Sequence, residues 1–349
     1  MNESPYIAVT IAEIRLETPD TKSFVLHHDS PLAYQPGQFL TLVFLKPGKE
    51  ERRSYSISSH PHWGEPLTIT VKRIDNGEYS RFLFDHCAVG DTLLTIGASG
   101  FFLLPEHIEG HSHYFFMAAG SGITPMLPLI KTLLHDHPTL HVYLVYSNRS
   151  EDRAIFYTAL KTLEKTFPNF HVLYLFSVAK DLMKARISKL MLQHYLDKTL
   201  GAEKDKALFY LCGPHDYMQM ISITLLTEGV PQAQIRKEIF STVKPVVKEL
   251  PPDQLPHRVT LHYAGHTHAL TVQYPLTILE TAKRAGVVLP YSCEAGKCGT
   301  CSATCLQGKV WLSYNEVLLD KELASGRVLT CVGYPYGTDD VVLDFPSLH

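Results

Sequence analysis

The stretch CEAGKCGTCSATC, residues 293–305, holds four of the chain's seven cysteines. Cys293, Cys298 and Cys301 follow the spacing C-x4-C-x2-C, and Cys331 lies well downstream in VLTCVGYP. Three thiolates from one loop and a fourth from a distant segment is the ligand pattern of a [2Fe–2S] cluster. The residues between are mostly small or glycine, so backbone N–H groups can approach and hydrogen-bond sulfur. A structural zinc site more often uses two separated C-x2-C pairs, and that pattern is missing here. Cys305 falls on what reads as a strand leaving the loop. It is expected to be a small core hydrophobe, which leaves Cys331 as the fourth ligand.

Two further segments carry chemistry. In RRSYSISS, Arg53, Ser54, Tyr55 and Ser56 combine a guanidinium fork suited to phosphate, a flat ring and free hydroxyls. Alone, that tetrapeptide reads equally well as a barrel strand with an exposed arginine. In AAGSGITPM, Gly120, Ser121, Gly122, Thr124 and Pro125 follow an apolar strand and open a helix. Glycines there let a pyrophosphate approach the backbone, and Thr124 and the helix N-terminus supply donors. The pattern is not G-x-G-x-x-G, so the ribose-acid rule of that motif does not carry over.

Behind these residues the sequence has three rhythms. Up to about Leu104, short β-branched and aromatic runs such as YIAVTIAEIRL, QFLTLVFL and PLTITVKRI alternate with Pro, Gly and Asn, as in a small antiparallel barrel or sandwich. From His113, apolar strands alternate with helical segments, among them a helix expected over DRAIFYTALKTLEKTF, which predicts a parallel sheet covered on both faces. STVKPVVKELPPDQLPH reads as a linker, able either to fix the C-terminal part at one angle or to let it swing. After it, two strands and a short helix lead into the cysteine loop. The divisions are residues 1–108, 109–243, a linker at 244–257, and 258–349.

Composition narrows the function. The chain has 349 residues, 45% hydrophobic and 19% charged, with a formal charge of −3, so it lacks the basic excess expected of a nucleic-acid binder. It has no apolar run long enough to span a membrane. Its first residues, MNESPYIAVT, do not read as a signal peptide, which points to the cytoplasm. The 19 histidines form no zinc-type constellation, and there is no triad or carboxylate pair for acid–base work.

Taken together, YQPGQFL, RRSYSISS, NGEYSRFL, AAGSGITPM and LCGPHDYM resemble the ferredoxin–NADP reductase superfamily, here with a plant-type [2Fe–2S] ferredoxin domain at the C-terminus. The chain is most similar in order and motifs to the reductase subunits of phenylacetyl-CoA epoxidase and ketosteroid hydroxylase. The resemblance implies a multidomain fold: an antiparallel β-barrel flavin domain, an α/β parallel-sheet nucleotide domain and a β-grasp ferredoxin domain. It implies FAD, with Arg53 on a phosphate, Tyr55 stacked on the flavin and Ser56 at its N5. Ser54, Lys72, Gly77, Tyr79 and Ser80 lie beside them, Gly77 and Ser80 where the family's pyrophosphate segment starts a helix. It also places Cys212, Gly213 and Pro214 beside a nicotinamide, with Ser56, Cys212 and Phe240 nearest the reacting atoms and Glu238 close by. Arg149 would favour NADPH by pairing with a 2′-phosphate, whereas Glu151 or Asp152 would favour NADH. The implied activity is transfer from NAD(P)H through FAD and the cluster to a protein acceptor, an oxygenase component. Other clients (a hybrid-cluster protein, a haem protein, a free ferredoxin) and a redox-sensing role stay open.

Overall fold

Residues 6–29, 32–247 and 249–346 are described by the computed structural model. The first rhythm forms β1 (Ile7–Thr18), β2 (Thr21–His27), β3 (Phe39–Lys46), β4 (Lys49–Ser56), β5 (Thr68–Lys72) and β6 (Thr92–Ser99), joined in the order β4-β3-β6-β1-β2-β5. All the pairings are antiparallel, and a bridge from Ile57 to Ile69 brings the end of β4 against β5, closing the barrel. Inward residues such as Phe24, Leu40, Leu42, Ile69 and Val71 are fully buried, the alternation expected of strands with one wet face. Helix α1 (Glu78–His86) follows β5 and drives Leu83 into the same core.

The second rhythm forms β7 (His113–Ala119), β8 (His141–Asn148), β9 (Phe170–Phe176), β10 (Ala207–Cys212) and β11 (Ile235–Glu238), all parallel, in the order β11-β10-β7-β8-β9. Strand β7 shows why the run HYFFMAA is apolar throughout. Tyr114, Phe116 and Ala118 enter one core with α2 (Met126–Asp136) and α3 (Tyr157–Thr166). Phe115 and Met117 enter the other with α5 (Lys189–Thr199) and α6 (His215–Thr227), beyond the single turn of α4 (Leu182–Ala185). Helix α3 starts five residues later than the sequence suggests. Glu151–Arg153 is a separate tight turn, Ile155 is buried, and Phe156 takes a left-handed φ of 60° that breaks the helix.

The last part forms β12 (His257–Tyr263), β13 (His266–Val272), β14 (Ser302–Gln307), β16 (Arg327–Leu329) and β18 (Val341–Asp344), a mixed sheet ordered β13-β12-β18-β14-β16. Its β12–β18 pair is parallel, and the antiparallel pair of β15 (Lys309–Leu312) and β17 (Gly333–Tyr336) forms a separate two-stranded sheet. Helix α7 (Ile278–Arg284) packs on the sheet and begins with a capping box between Thr277 and Glu280; α8 (Asp320–Ala324) precedes β16. This is the β-grasp arrangement that the family resemblance implied.

Residues 241–247 and 249–256 form neither helix nor strand, yet they are tied down. Lys297 Nζ donates to the Val243 carbonyl at 2.8 Å, Lys244 faces Glu280 at 3.8 Å, and Asp253 bonds both His257 (2.6 Å) and the Gly337 N–H (2.9 Å). These ties hold the segment against the C-terminal part. Among the described residues no helix is long and apolar enough to cross a membrane.

Candidate functional site

The cysteine loop winds tightly because Glu294, Gly296 and Gly299 all take positive φ. A Cβ on Gly299 would lie 2.3 Å from the Phe101 ring, so only glycine lets the loop approach the barrel there. Cys293, Cys301 and Cys331 are buried and Cys298 is partly covered. Thr330, fully buried, donates its N–H (3.2 Å) and its hydroxyl (3.0 Å) to the Cys301 carbonyl, which seats Cys331 against the loop.

Whether these residues fit an iron–sulfur group can be judged from the sulfurs themselves. They run in a chain of contacts, Cys298 to Cys293 to Cys331 to Cys301. A [2Fe–2S] group needs four thiolates, and this run of four neighbouring sulfurs supplies them. The thiols of Cys298 and Cys331 donate toward Cys293 and hold it far below the ordinary thiol range, while their own pKa values rise. Four thiolates so close would repel one another unless a cationic centre joined them. The Ala295 N–H also points at Cys293 Sγ, at 3.4 Å. Cys305 touches none of this. It is partly buried and packs against the core of the ferredoxin part, with its Sγ facing the Gln307 carbonyl at 3.2 Å.

A cavity of about 520 Å³ opens beside the loop. Strand β4 contributes Arg53, Ser54, Tyr55 and Ser56, the end of β5 contributes Lys72, and the start of α1 contributes Gly77, Tyr79 and Ser80. Ser121 and Thr124 come from the turn after β7, Lys237, Glu238 and Phe240 from the end of β11, and Ser292, Cys293, Lys297 and Cys298 from the cysteine loop. Three separately folded parts of the chain thus meet at one space. Ser56 Oγ is buried with no partner, an orphan that a ring nitrogen would satisfy. Arg53 lies 4.8 Å over the Tyr79 ring and pairs with Glu51 at 2.8 Å. Burial pushes the Tyr55 hydroxyl up, so it stays neutral. Ser80 is engaged locally, accepting from the Ile74 N–H (3.2 Å) and donating to the Gly77 carbonyl (3.1 Å). A Cβ on Gly77 would strike that hydroxyl at 2.4 Å. No side chain caps α1, leaving its first N–H groups for an anion.

Next to the cavity, Gly120 and Gly122 bring the β7 turn onto the end of β10. A Cβ on Gly122 would sit 2.0 Å from the Cys212 carbonyl oxygen, and one on Gly213 would sit 2.9 Å from Ala119. Thr124 donates to the Ser121 carbonyl at 2.8 Å, and Pro125 leads into α2 as Pro214 leads into α6. Cys212 is buried and its thiol pushed well up by desolvation, with Glu238 adding to the effect. Glu238 pairs with Cys212 across β10 and β11, and its Oε2 is buried without a partner. Burial alone pushes this carboxyl up to about 8.

Arg149 stands apart, exposed at the end of β8. Of its neighbours, Ser150 is held by Asp152 (2.6 Å), and Arg153 crosses to Asp20 of the barrel (3.2 Å), which also faces Lys72 at 3.7 Å. Sequence reasoning missed Arg52. It chose the second arginine of the pair, whereas the first is the buried one, with its guanidinium 3.7 Å from the centre of the Tyr291 ring.

A barrel, a parallel α/β sheet and a β-grasp unit sharing one cavity beside a cysteine loop define a flavin and iron–sulfur oxidoreductase that uses a nicotinamide nucleotide. Comparison with known proteins agrees part by part. Residues 8–103 match the oxidoreductase FAD-binding domain, 116–222 the oxidoreductase NAD-binding domain and 261–336 the 2Fe-2S iron-sulfur cluster binding domain. The chain is 35% identical to a subunit of the 1,2-phenylacetyl-CoA epoxidase of Escherichia coli (strain K12), covering 97% of this chain and 98% of that one. It is 32% identical to the ferredoxin reductase component of 3-ketosteroid-9-alpha-monooxygenase of Mycobacterium tuberculosis (strain ATCC 25618 / H37Rv), covering 94% and 93%. Phthalate dioxygenase reductase, solved as a modular structure for electron transfer from pyridine nucleotides to [2Fe–2S], aligns over 97% of this chain and 98% of its own, with a TM-score of 0.60 and 25% identity. The chain belongs to this family of three-part flavin and iron–sulfur reductases.

Proposed function

We propose that the protein takes a hydride from NADPH and passes single electrons through FAD and the [2Fe–2S] cluster to an oxygenase component in the cytoplasm. The observation that carries this reading is the shared cavity, which is lined both by the flavin-type strand Arg53–Ser56 and by Cys293 and Cys298. When bound, the flavin supplies the exchange between two-electron and one-electron chemistry. The protein's part is orientation. Ser56 holds a ring nitrogen, Tyr55 packs on the ring, and Arg53 with Lys72 and the start of α1 receives phosphate. Ser54 belongs as much to the interface, with its hydroxyl 2.6 Å from that of Ser292. Beyond Tyr79 a groove of about 900 Å³ floored by Phe44 and Phe82 has room for the adenosine half of FAD. The Gly120–Pro125 turn with Cys212, Gly213 and Pro214 takes the nucleotide, and its nicotinamide lies between Cys212 and Phe240. Cys293, Cys298, Cys301 and Cys331 hold the irons.

The preference for NADPH rests on Arg149, among the described residues the one cation of its loop without a carboxylate in reach. Oxygenase clients are favoured over haem proteins or free ferredoxins because the relatives of full-length similarity are named as epoxidase and monooxygenase components. The test is an anaerobic titration with NADPH and, separately, NADH, read by visible absorbance. NADPH should bleach the flavin band and the cluster bands together, and Arg149→Ala should weaken NADPH more than NADH. A cluster that stays oxidised while the flavin bleaches would overturn the electron path. Preferential bleaching by NADH would overturn the nucleotide assignment alone.

A further inference from the structure

Where the barrel meets the cysteine loop, one charged side chain is enclosed by both. Arg52 on β4 is 3% exposed, although its neighbour Arg53 is half-open. Its Nε donates to Glu50 Oε1 at 2.5 Å. Its Nη1 donates to two carbonyls of the ferredoxin part, Tyr291 (3.0 Å) and Leu289 (3.4 Å), and its plane lies on the Tyr291 ring at 3.7 Å. Glu50 also accepts from Tyr291 at 3.3 Å and from Tyr6 at 2.6 Å, and Lys283 covers the Tyr291 ring from the same domain at 4.2 Å. Burying an arginine is costly unless charge, fork and plane find partners; Glu50 on the same strand meets the charge, but the two carbonyls and the ring that meet fork and plane are present only when the two parts are together. Tyr291 lies two residues before Cys293. Whatever fixes its backbone therefore fixes the first cluster ligand relative to the flavin strand, of which Arg52 is itself a member.

We infer that Arg52 is a positioning residue for electron transfer: it clasps the ferredoxin part onto the flavin barrel, so that transfer occurs in this docked arrangement without a swing of the domain. The inference rests on the electron path proposed above. The Gly299 contact with Phe101 and the Ser99 to Thr300 hydroxyl pair (3.1 Å) lie along the same seam and agree with it. The linker's ties at Val243, Lys244 and Asp253 run to the ferredoxin part, so the hold on the barrel falls to contacts such as these.

The test uses the full chain loaded with flavin and cluster, mixed rapidly with NADPH without oxygen. In Arg52→Ala, flavin bleaching should stay within about twofold of wild type while cluster bleaching slows roughly tenfold or more, since small misplacements cost large factors. Small-angle scattering should show a larger radius of gyration, and a protease should cut the 241–256 segment faster. Arg52→Lys, which keeps the charge but loses fork and plane, should fall between. If Arg52→Ala does not load its cofactors, Arg52→Lys and Glu50→Gln read the same step. Wild-type cluster bleaching in the variants, or slower bleaching with unchanged scattering and proteolysis, overturns the clasp. Failure of the wild type itself to reduce its cluster would instead strike the proposed function.

Discussion

Replacing Glu238 with glutamine should change how stability depends on pH, and the structure sets direction and size. The carboxyl sits on β11 opposite Cys212 with Oε2 dry and unpartnered, and burial pushes its pKa up to about 8. In the unfolded chain it titrates near 4.5, its ordinary value. Between those values the folded protein holds a proton that the unfolded chain has released. Stability from this group is therefore complete below about pH 4.5 and drains as pH rises through about 8. Each pH unit in the window is worth about 1.4 kcal/mol, so from pH 5.5 to 8 the wild type should lose up to about 3 kcal/mol relative to Glu238→Gln. The rest of the Glu238 side chain is not fully enclosed, which makes that figure a ceiling. Denaturant midpoints of the two cofactor-loaded proteins, taken at half-unit steps, isolate the effect because all other titrations cancel in the difference. A difference that varies by less than about 0.5 kcal/mol across the window would refute a dry, protonated carboxyl here.

Three further outcomes are expected. Cys331→Ala should lose the cluster absorbance while Cys305→Ala keeps it, since Cys305 lies outside the sulfur chain; loss in both variants would count against the ligand set. Ser56→Ala should retain flavin but slow its bleaching by NADPH roughly five- to tenfold, the worth of one hydrogen bond made at the reacting ring, and an unchanged rate would argue that the orphan hydroxyl faces elsewhere. Gly122→Ala should raise the KM for nucleotide sharply and cost about 1–3 kcal/mol of stability, because its methyl would meet the Cys212 carbonyl at 2.0 Å; steady-state dye reduction and a thermal melt together check this.

The features legible in the sequence were those whose chemistry is local. C-x4-C-x2-C reveals its loop by spacing, whereas the strand Arg53–Ser56 and the Gly120–Pro125 turn, each local to one strand or turn, took their cofactor roles from the family resemblance. The one distant ligand, Cys331, was recoverable because a cluster needs four thiolates. Arg52 was illegible for the opposite reason. Its partners at Tyr291 and Leu289 lie more than two hundred residues away, and nothing in RRS says which arginine another part of the chain will cover. The register against β3 puts Arg53 on the face of Leu42 and Tyr55 and Arg52 on the opposite face with Val43, so Arg52 is buried by the ferredoxin part and not by the barrel's own core. Cys305 was read as packed in the core, and it does pack against that core, though only partly buried beside the register shift in β14. Glu238 was noted for its position, but its unusual charge state depends on burial that no pattern encodes.

The same structure explains why an electron-transfer protein can do without an acid–base pair. Arg53, Lys72, Lys237 and Lys297 line the cavity, with Arg53 facing Glu51 and Lys72 facing Asp20; of the two acids there, Glu78 is tied to Lys46 at 2.5 Å and burial raises the pKa of Glu238. These cations offer attachment points for nucleotide phosphates. Close approach is secured where a side chain would block it: Gly299 lies under Phe101 on the cluster side, and Gly122 lies on Cys212 on the nucleotide side. Cationic side chains and glycine contacts leave the chemistry to the bound groups and the geometry to the protein. On that division of labour, substitutions along the seams between the parts should alter transfer rates more than most changes inside the cavity, where, among the described residues, Ser56 carries the only buried serine hydroxyl without a partner.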